Sequence, residues 1–89
     1  MTLVRDRQGL LWESSREYRS GIDAFEADRD GRNGPTSVRR FAEWRLVTPA
    51  REPQYRHEWG DLFPAWPGEW ASSAPGRMAA PAKSSKVQP

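Results

Sequence analysis

Between Val38 and Val47 six apolar residues fall within ten positions: Val38, Phe41, Ala42, Trp44, Leu46 and Val47. The stretch is framed by Gly34-Pro35 before it and Thr48-Pro49 after it. Proline fits the first turn of a helix, and the residue before a proline is pushed out of the helical region, so the frame marks where an element starts and stops. Two periods compete inside it. At about 100° per residue, Phe41, Val38, Ala42 and Leu46 span an arc of about 140°, a workable core stripe that leaves Trp44 and Val47 outside. Read as a strand, Ala42, Trp44 and Leu46 alternate, but Arg40 then shares their buried side. The spacing predicts a helix over about 36–45 with an extended exit through Val47.

That segment cannot build a core alone, and the rest of the chain offers it few aliphatic partners. Leu, Val, Phe and Ile together make thirteen of 89 residues, about 15%, below the ~20% level at which disorder becomes the expectation. Against this stand a net charge of only +2 and five tryptophans, each a large apolar surface. The balance predicts a small, partly folded chain whose core is made of indole rings.

In chain order, Thr2-Leu3-Val4 and Leu10-Leu11-Trp12 are β-favouring runs, and Arg5–Gly9 between them is polar and ends in glycine, which predicts an N-terminal β-hairpin. A lone hairpin is marginal in water and must pack on something. Residues 14–33 are ambiguous: Ser20 is placed to cap a short helix in which Ile22 and Phe25 share a face, but Gly21 weakens it. The run from Arg29 to Pro35 is a loop on either reading. Residues 49–70 combine Pro49, Pro53, Pro64 and Pro67 with Trp59, Trp66 and Trp70, so at most about two helical turns, Gln54 to Phe63, fit between the prolines. Residues 71–89 have no apolar period and read as a disordered C-terminal tail. The expected architecture is a small α+β fold: an N-terminal β-hairpin, one short helix at about 36–45, a Trp-rich irregular segment and the tail. The expected organisation is a folded core at 1–48, a Pro/Trp-rich segment at 49–70 that packs on the core or binds a partner, and a flexible tail at 71–89.

Charge and reactive residues point away from chemistry. Residues 1–48 hold nine arginines and eight acids, and the acid-free tail carries Arg77, Lys83 and Lys86; no block of like charge marks a nucleic-acid arm. Cysteine is absent, which removes disulfides and thiolate sites. No apolar run approaches the ~20 residues of a membrane span, and the first residues lack a signal-peptide core, so a cytoplasmic location is expected. His57 is the sole histidine, and it has neither the second histidine of a zinc-protease pattern nor an elbow motif presenting a serine nucleophile. The carboxylate pairs Glu26 with Asp30 and Glu58 with Asp61 read as solvated faces, because acid–base work needs one buried carboxyl. No enzyme, cofactor or metal is expected.

Two binding readings remain. Acids interspersed with Trp59, Leu62, Phe63 and Trp66 describe a segment that docks aromatic anchors into a protein partner; the alternative is that these rings lie back over the core as its missing wall. Arg32, Arg39, Arg40 and Arg45 on and beside the predicted helix offer a nucleic-acid contact, although Glu43 interrupts them and a patch that neutralises about three phosphates binds weakly.

The order Trp12, Ser14-Ser15, Glu26-Ala27, Arg29-Asp30, Gly34-Pro35 and Ala42-Glu43-Trp44-Arg45 resembles a short actinobacterial domain of unknown function. In that family a W-x-x-S-S element is followed by C-V-E-V-A, R-D-S, D-G-P and, eight residues later, A-E-W. The resemblance covers about a third of the chain and implies a non-catalytic protein encoded beside helix-turn-helix regulators and binding them. Together these readings predict a small protein-interaction module, possible partner of a transcriptional regulator, with a nucleic-acid-binding module as the alternative.

Overall fold

The computed structural model describes residues 1–74 and 77–78. Its centre is β1 (Thr2–Arg5), in which all four residues are buried. β1 pairs antiparallel with β2 (Leu11–Ser14) on one side and with β4 (Trp70–Ala74) on the other, and β2 pairs in turn with β3 (Arg45–Val47). A two-residue β5 (Arg77–Met78) follows β4, so the sheet order is β3-β2-β1-β4-β5. Among the described residues three α-helices complete the fold: α1 (Gly21–Asp30), α2 (Pro35–Phe41) and α3 (Glu52–Trp59). Among the described residues no helix is long and apolar enough to cross a membrane.

The hairpin forms as expected, and Asp6 builds its turn. Its Oδ1 accepts the backbone N–H groups of Gln8 and Leu10, each at 2.9 Å, while its backbone N–H donates to the Leu10 carbonyl at 2.8 Å. Gly9 takes a positive φ of 92° to close the loop. The carboxylate thereby supplies the turn geometry that short polar side chains favour, and its Oδ2 also accepts the Trp12 indole N–H at 2.9 Å.

Because strand side chains alternate, β1 presents Leu3 to one face and Val4 to the other, and each face needs a cover. On the first face Leu3, Leu11, Val47 and Ala71 meet Tyr55 and Trp59 of α3, with Phe63 beyond it. On the second, Val4 meets Ile22 and Phe25 of α1 and also Trp44, with Trp12, Tyr18, Phe41 and Trp70 packed around them. The sheet is thus the middle of three layers. Phe25 is the hub of the second face, with ring centroids 5.1 Å from Trp12, 6.0 Å from Phe41 and 5.3 Å from Trp44.

Each helix has a local cause. Ser20 caps α1, accepting the Asp23 N–H, and Gly31 ends it in the left-handed conformation with its N–H returned to Asp28. This is the cap pair that sequence favours at helix ends. Gly21 lets the first turn lie on the sheet: a Cβ there would stand 2.7 Å from the Thr2 methyl and 3.1 Å from the Trp70 ring. Pro35 opens α2, and Pro53 sits in the first turn of α3, where its missing N–H costs nothing.

The α+β class stands, but three helices replace the single one expected. The predicted helix at 36–45 ends at Phe41, because Glu43 and Trp44 return their N–H groups to Arg40 and Phe41 in a turn that sends the chain into β3. The stripe within it is correspondingly different. Val38 is 66% exposed, Ala42 and Leu46 are exposed as well, and Trp44 and Val47 are buried. Once the helix stops, the period changes from 3.6 to 2, and a single helical wheel across the whole stretch misplaces its ends. The predicted Gln54–Phe63 helix starts two residues earlier, at Glu52, and ends four residues earlier, at Trp59, where Gly60 stops it at φ 56°. Within residues 49–70, Tyr55, Trp59 and Phe63 are buried in the first-face core and Trp70 packs on the second face, while Trp66 is exposed. The predicted tail also starts too early: Ala71 and Ser72 are buried in β4. Residues 75–76 and 79–89 of that predicted tail lie outside the described residues.

One charge pair is built into the first layer. The buried Arg5 guanidinium donates to the Pro64 and Gly9 carbonyls at 3.2 and 3.0 Å and to both Glu52 oxygens at 3.4 and 3.0 Å, with the Phe63 ring 5.5 Å from its centre. Hydrogen bonding from Arg5 holds the Glu52 carboxyl below its ordinary pKa against the opposing effect of burial. A depressed folded-state pKa gives stability that is present above the unfolded value and lost as pH falls through the folded one. Glu52→Gln is therefore expected to lose about 1–3 kcal/mol at neutral pH, because a buried guanidinium loses its counter-charge. Urea unfolding should show that gap closing below the ordinary glutamate range; a gap that stays constant into acid would contradict the assignment.

Candidate interaction surface

The four aromatic and aliphatic anchors expected at 59–66 separate into two groups. Trp59 and Phe63 are buried in the first-face core and Leu62 is packed against it, so these three form the wall of the core. Trp66 points the other way and is 70% exposed. Its loop is held from several directions. One Glu69 oxygen accepts the N–H groups of Ala65 and Trp66, each at 3.0 Å, and the Glu69 N–H donates to the Trp66 carbonyl at 3.0 Å. Arg5 of β1 fixes both flanks: it donates to the Glu69 and Pro64 carbonyls and accepts the Gly68 N–H at 2.8 Å. Gly68 is needed there, with φ at 87° and the Arg7 guanidinium 3.0 Å from where a Cβ would stand. A fixed backbone carrying an exposed indole has little freedom left to lose on binding.

The four arginines of the nucleic-acid alternative are not gathered into one surface. Arg39 and Arg40 project from α2, on the second face of the sheet, and make no ion pair with the described residues. Arg32 sits in the preceding loop and pairs with Asp30 at 3.5 Å. Arg45 lies opposite Glu13 in the β2–β3 register, which places it on the first face. Glu43, between them in sequence, is taken by Arg16, whose hydrogen bond lowers the carboxyl's pKa.

The third surface was not singled out in the sequence. β3 is the last strand on its side of the described sheet, and outside its ladder with β2 its backbone makes no hydrogen bond with the described residues. Leu46, opposite Trp12, is 43% exposed on the second face, and Arg45 is exposed on the first. Arg45 also lines a cleft of about 320 Å³ with Met1, Glu13, Ser14, Ser15, Ala42 and Glu43, at the ends of β1 and β2. A sequence signal for this edge exists only in hindsight of pairing: three residues between a turn and Thr48-Pro49, with an arginine and a leucine on alternate faces.

Behind the edge, the buried Glu13 carboxylate accepts the Tyr55 hydroxyl at 2.7 Å, and Arg51 reaches both Glu13, at 3.5 Å, and the Tyr55 oxygen, at 2.5 Å. His57 is exposed on α3, and among the described residues no group of three or more His, Asp or Glu side chains is placed to hold a metal ion. No known protein family, curated protein or solved structure matches the chain.

Burial, then the bond to Glu13, raises the Tyr55 hydroxyl to a pKa of about 12 from 10.0. A raised folded-state pKa gives stability that is complete below the unfolded value and lost as pH rises through the folded one. Tyr55→Phe should cost about 1–3 kcal/mol at neutral pH by leaving a buried carboxylate short of a donor. Denaturant midpoints taken across pH should show the difference shrinking between about 10 and about 12; a difference that grows over this interval would contradict the bond.

Proposed function

We propose that this chain is a non-catalytic, cytoplasmic protein-interaction module that engages its partner through Trp66. The observation that carries the reading is the combination at residues 63–69: a large amphipathic ring left in water on a loop whose backbone is tied to the central strand. Tryptophan is the side chain most enriched among residues that dominate binding energy, and a loop already ordered in the free protein spends little of that energy on its own immobilisation. At 70% exposure this ring buries little of its surface, whereas the four other indoles are at least partly buried. A transcriptional regulator is the partner class suggested by the resemblance of residues 12–45, and it enters the proposal on that ground alone.

Trp66→Ala should leave urea stability within about 0.5 kcal/mol, as surface substitutions do, and should cut retention of the partner by at least about tenfold, equivalent to ~1.4 kcal/mol. Affinity purification from the native host with both baits, quantified by mass spectrometry, measures this. A protein held equally by wild type and Trp66→Ala would contradict the assignment, as would the absence of any protein retained specifically by the wild type.

A further inference from the structure

Strand β3 offers a second, separate binding surface. Its three residues are paired on one side only, to Leu11, Trp12 and Glu13 of β2. The outward-facing N–H and C=O groups have no backbone partner among the described residues. An unpaired strand edge is a ready template for another extended chain.

The side chains of the edge state what that chain must carry. On the second face of the sheet Leu46 stands 43% exposed beside the partly buried Trp12. On the same side α2 leaves Val38 in water, three residues before Phe41, which packs on Trp12 at 5.8 Å. A neighbouring residue on this face is favoured if it is apolar. On the first face the balance is electrostatic. The Glu13 carboxylate is already engaged by Tyr55 and Arg51, which leaves the exposed Arg45 guanidinium opposite it without an ion pair to any described residue. A neighbouring residue on this face is favoured if it is acidic, since opposite charges directly across a ladder attract and like charges repel. The period of a strand is two, so one chain meets both demands only by alternating.

We propose that β3 accepts, by strand addition, an extended protein segment in which acidic and apolar residues alternate, the acidic one beside Arg45 and the apolar one beside Leu46. The surface is distinct from the Trp66 loop: Leu46 and Arg45 lie on the β2 side of β1, whereas the loop leads into β4 on the other.

The test is a binding titration of the full chain with short fluorescein-labelled peptides of alternating glutamate and valine, followed by anisotropy. The glutamate–valine peptide should bind saturably, and a lysine–valine peptide should not. Arg45→Glu should weaken the glutamate–valine peptide about tenfold, because the reversal removes an attraction and adds a repulsion, and should gain binding to the lysine–valine peptide, which also shows that the variant is folded. Methylating the backbone nitrogens of alternate peptide residues should abolish binding in one phase and spare it in the other, because only one set of N–H groups faces the edge. Trp66→Ala should leave all of this unchanged, so failure of this proposal and failure of the Trp66 reading are separable. The proposal is overturned by equal binding of both peptides, by binding of neither, by indifference to methylation in both phases, or by a dimer in sedimentation that Leu46→Lys dissociates, which would place a second copy of this chain on the edge.

Discussion

The fold rests on the complete burial of β1. A strand paired on both sides and covered on both faces has no polar exit for its side chains, so every neighbour is chosen by what it must exclude. Leu3 and Val4 are each fully buried, on opposite faces, and each burial is worth about 1.5–3 kcal/mol relative to exposure. Covering the first demands α3 and the turn after it; covering the second demands α1, α2 and Trp44. With few aliphatic residues available, the covers are aromatic: Tyr55, Trp59 and Phe63 on one side, Phe25, Phe41, Trp44 and Tyr18 on the other. Large flat rings fill a layer with few residues, which is how a chain this poor in Leu, Val and Ile still closes a three-layer core.

Aromatic cores bring polar edges inside, and the buried charges of this molecule answer them. Asp6 takes the Trp12 indole N–H and Asp28 takes that of Trp44, at 2.9 and 3.1 Å. Both carboxylates are buried themselves, so these donors, with the two backbone N–H groups on Asp6, offset the desolvation cost of a buried charge. Arg5 works the same way from the other side, tying the hairpin turn, the start of α3 and the loop before β4 to one guanidinium. Three residues that a composition argument counts as surface charge are therefore structural joints, and the Trp66 loop inherits its fixed geometry from one of them.

The sequence showed the hairpin plainly, because its two β-favouring runs and polar turn are local. It showed the Ser20 cap and the Ile22–Phe25 face of α1 as one of two readings, and the structure adopts that reading. It hid β4, since Trp-Ala-Ser-Ser-Ala has no alternating pattern to advertise a strand; its pairing partner, β1, lies nearly seventy residues away, with Thr2 opposite Ser72. It also misplaced the split between helix and strand at residues 41–45. Trp44 is drawn inward by Asp28 and by stacking on Tyr18 at 5.3 Å, contacts from elements that local periodicity does not see. Of the aromatic anchors, Trp66 alone is exposed, and spacing could not separate it from Trp59 because the helix that would relate them ends at Gly60. The β3 edge was illegible for the same reason as β4: an edge exists only once the order of strands is known.

The two proposed surfaces are therefore joined to the fold through β1: the same strand that needs two covers anchors the exposed indole on one side and, through β2, the open edge on the other. Amide hydrogen exchange measured residue by residue in the isolated chain tests this most directly. The account predicts that the Leu3 and Val4 amides exchange only through global unfolding, with the free energy obtained from denaturant titration, while amides of the loop at 6–10 open more easily. Leu3 and Val4 amides exchanging as fast as that loop would show that β1 is not the buried centre, and the account would fall with it.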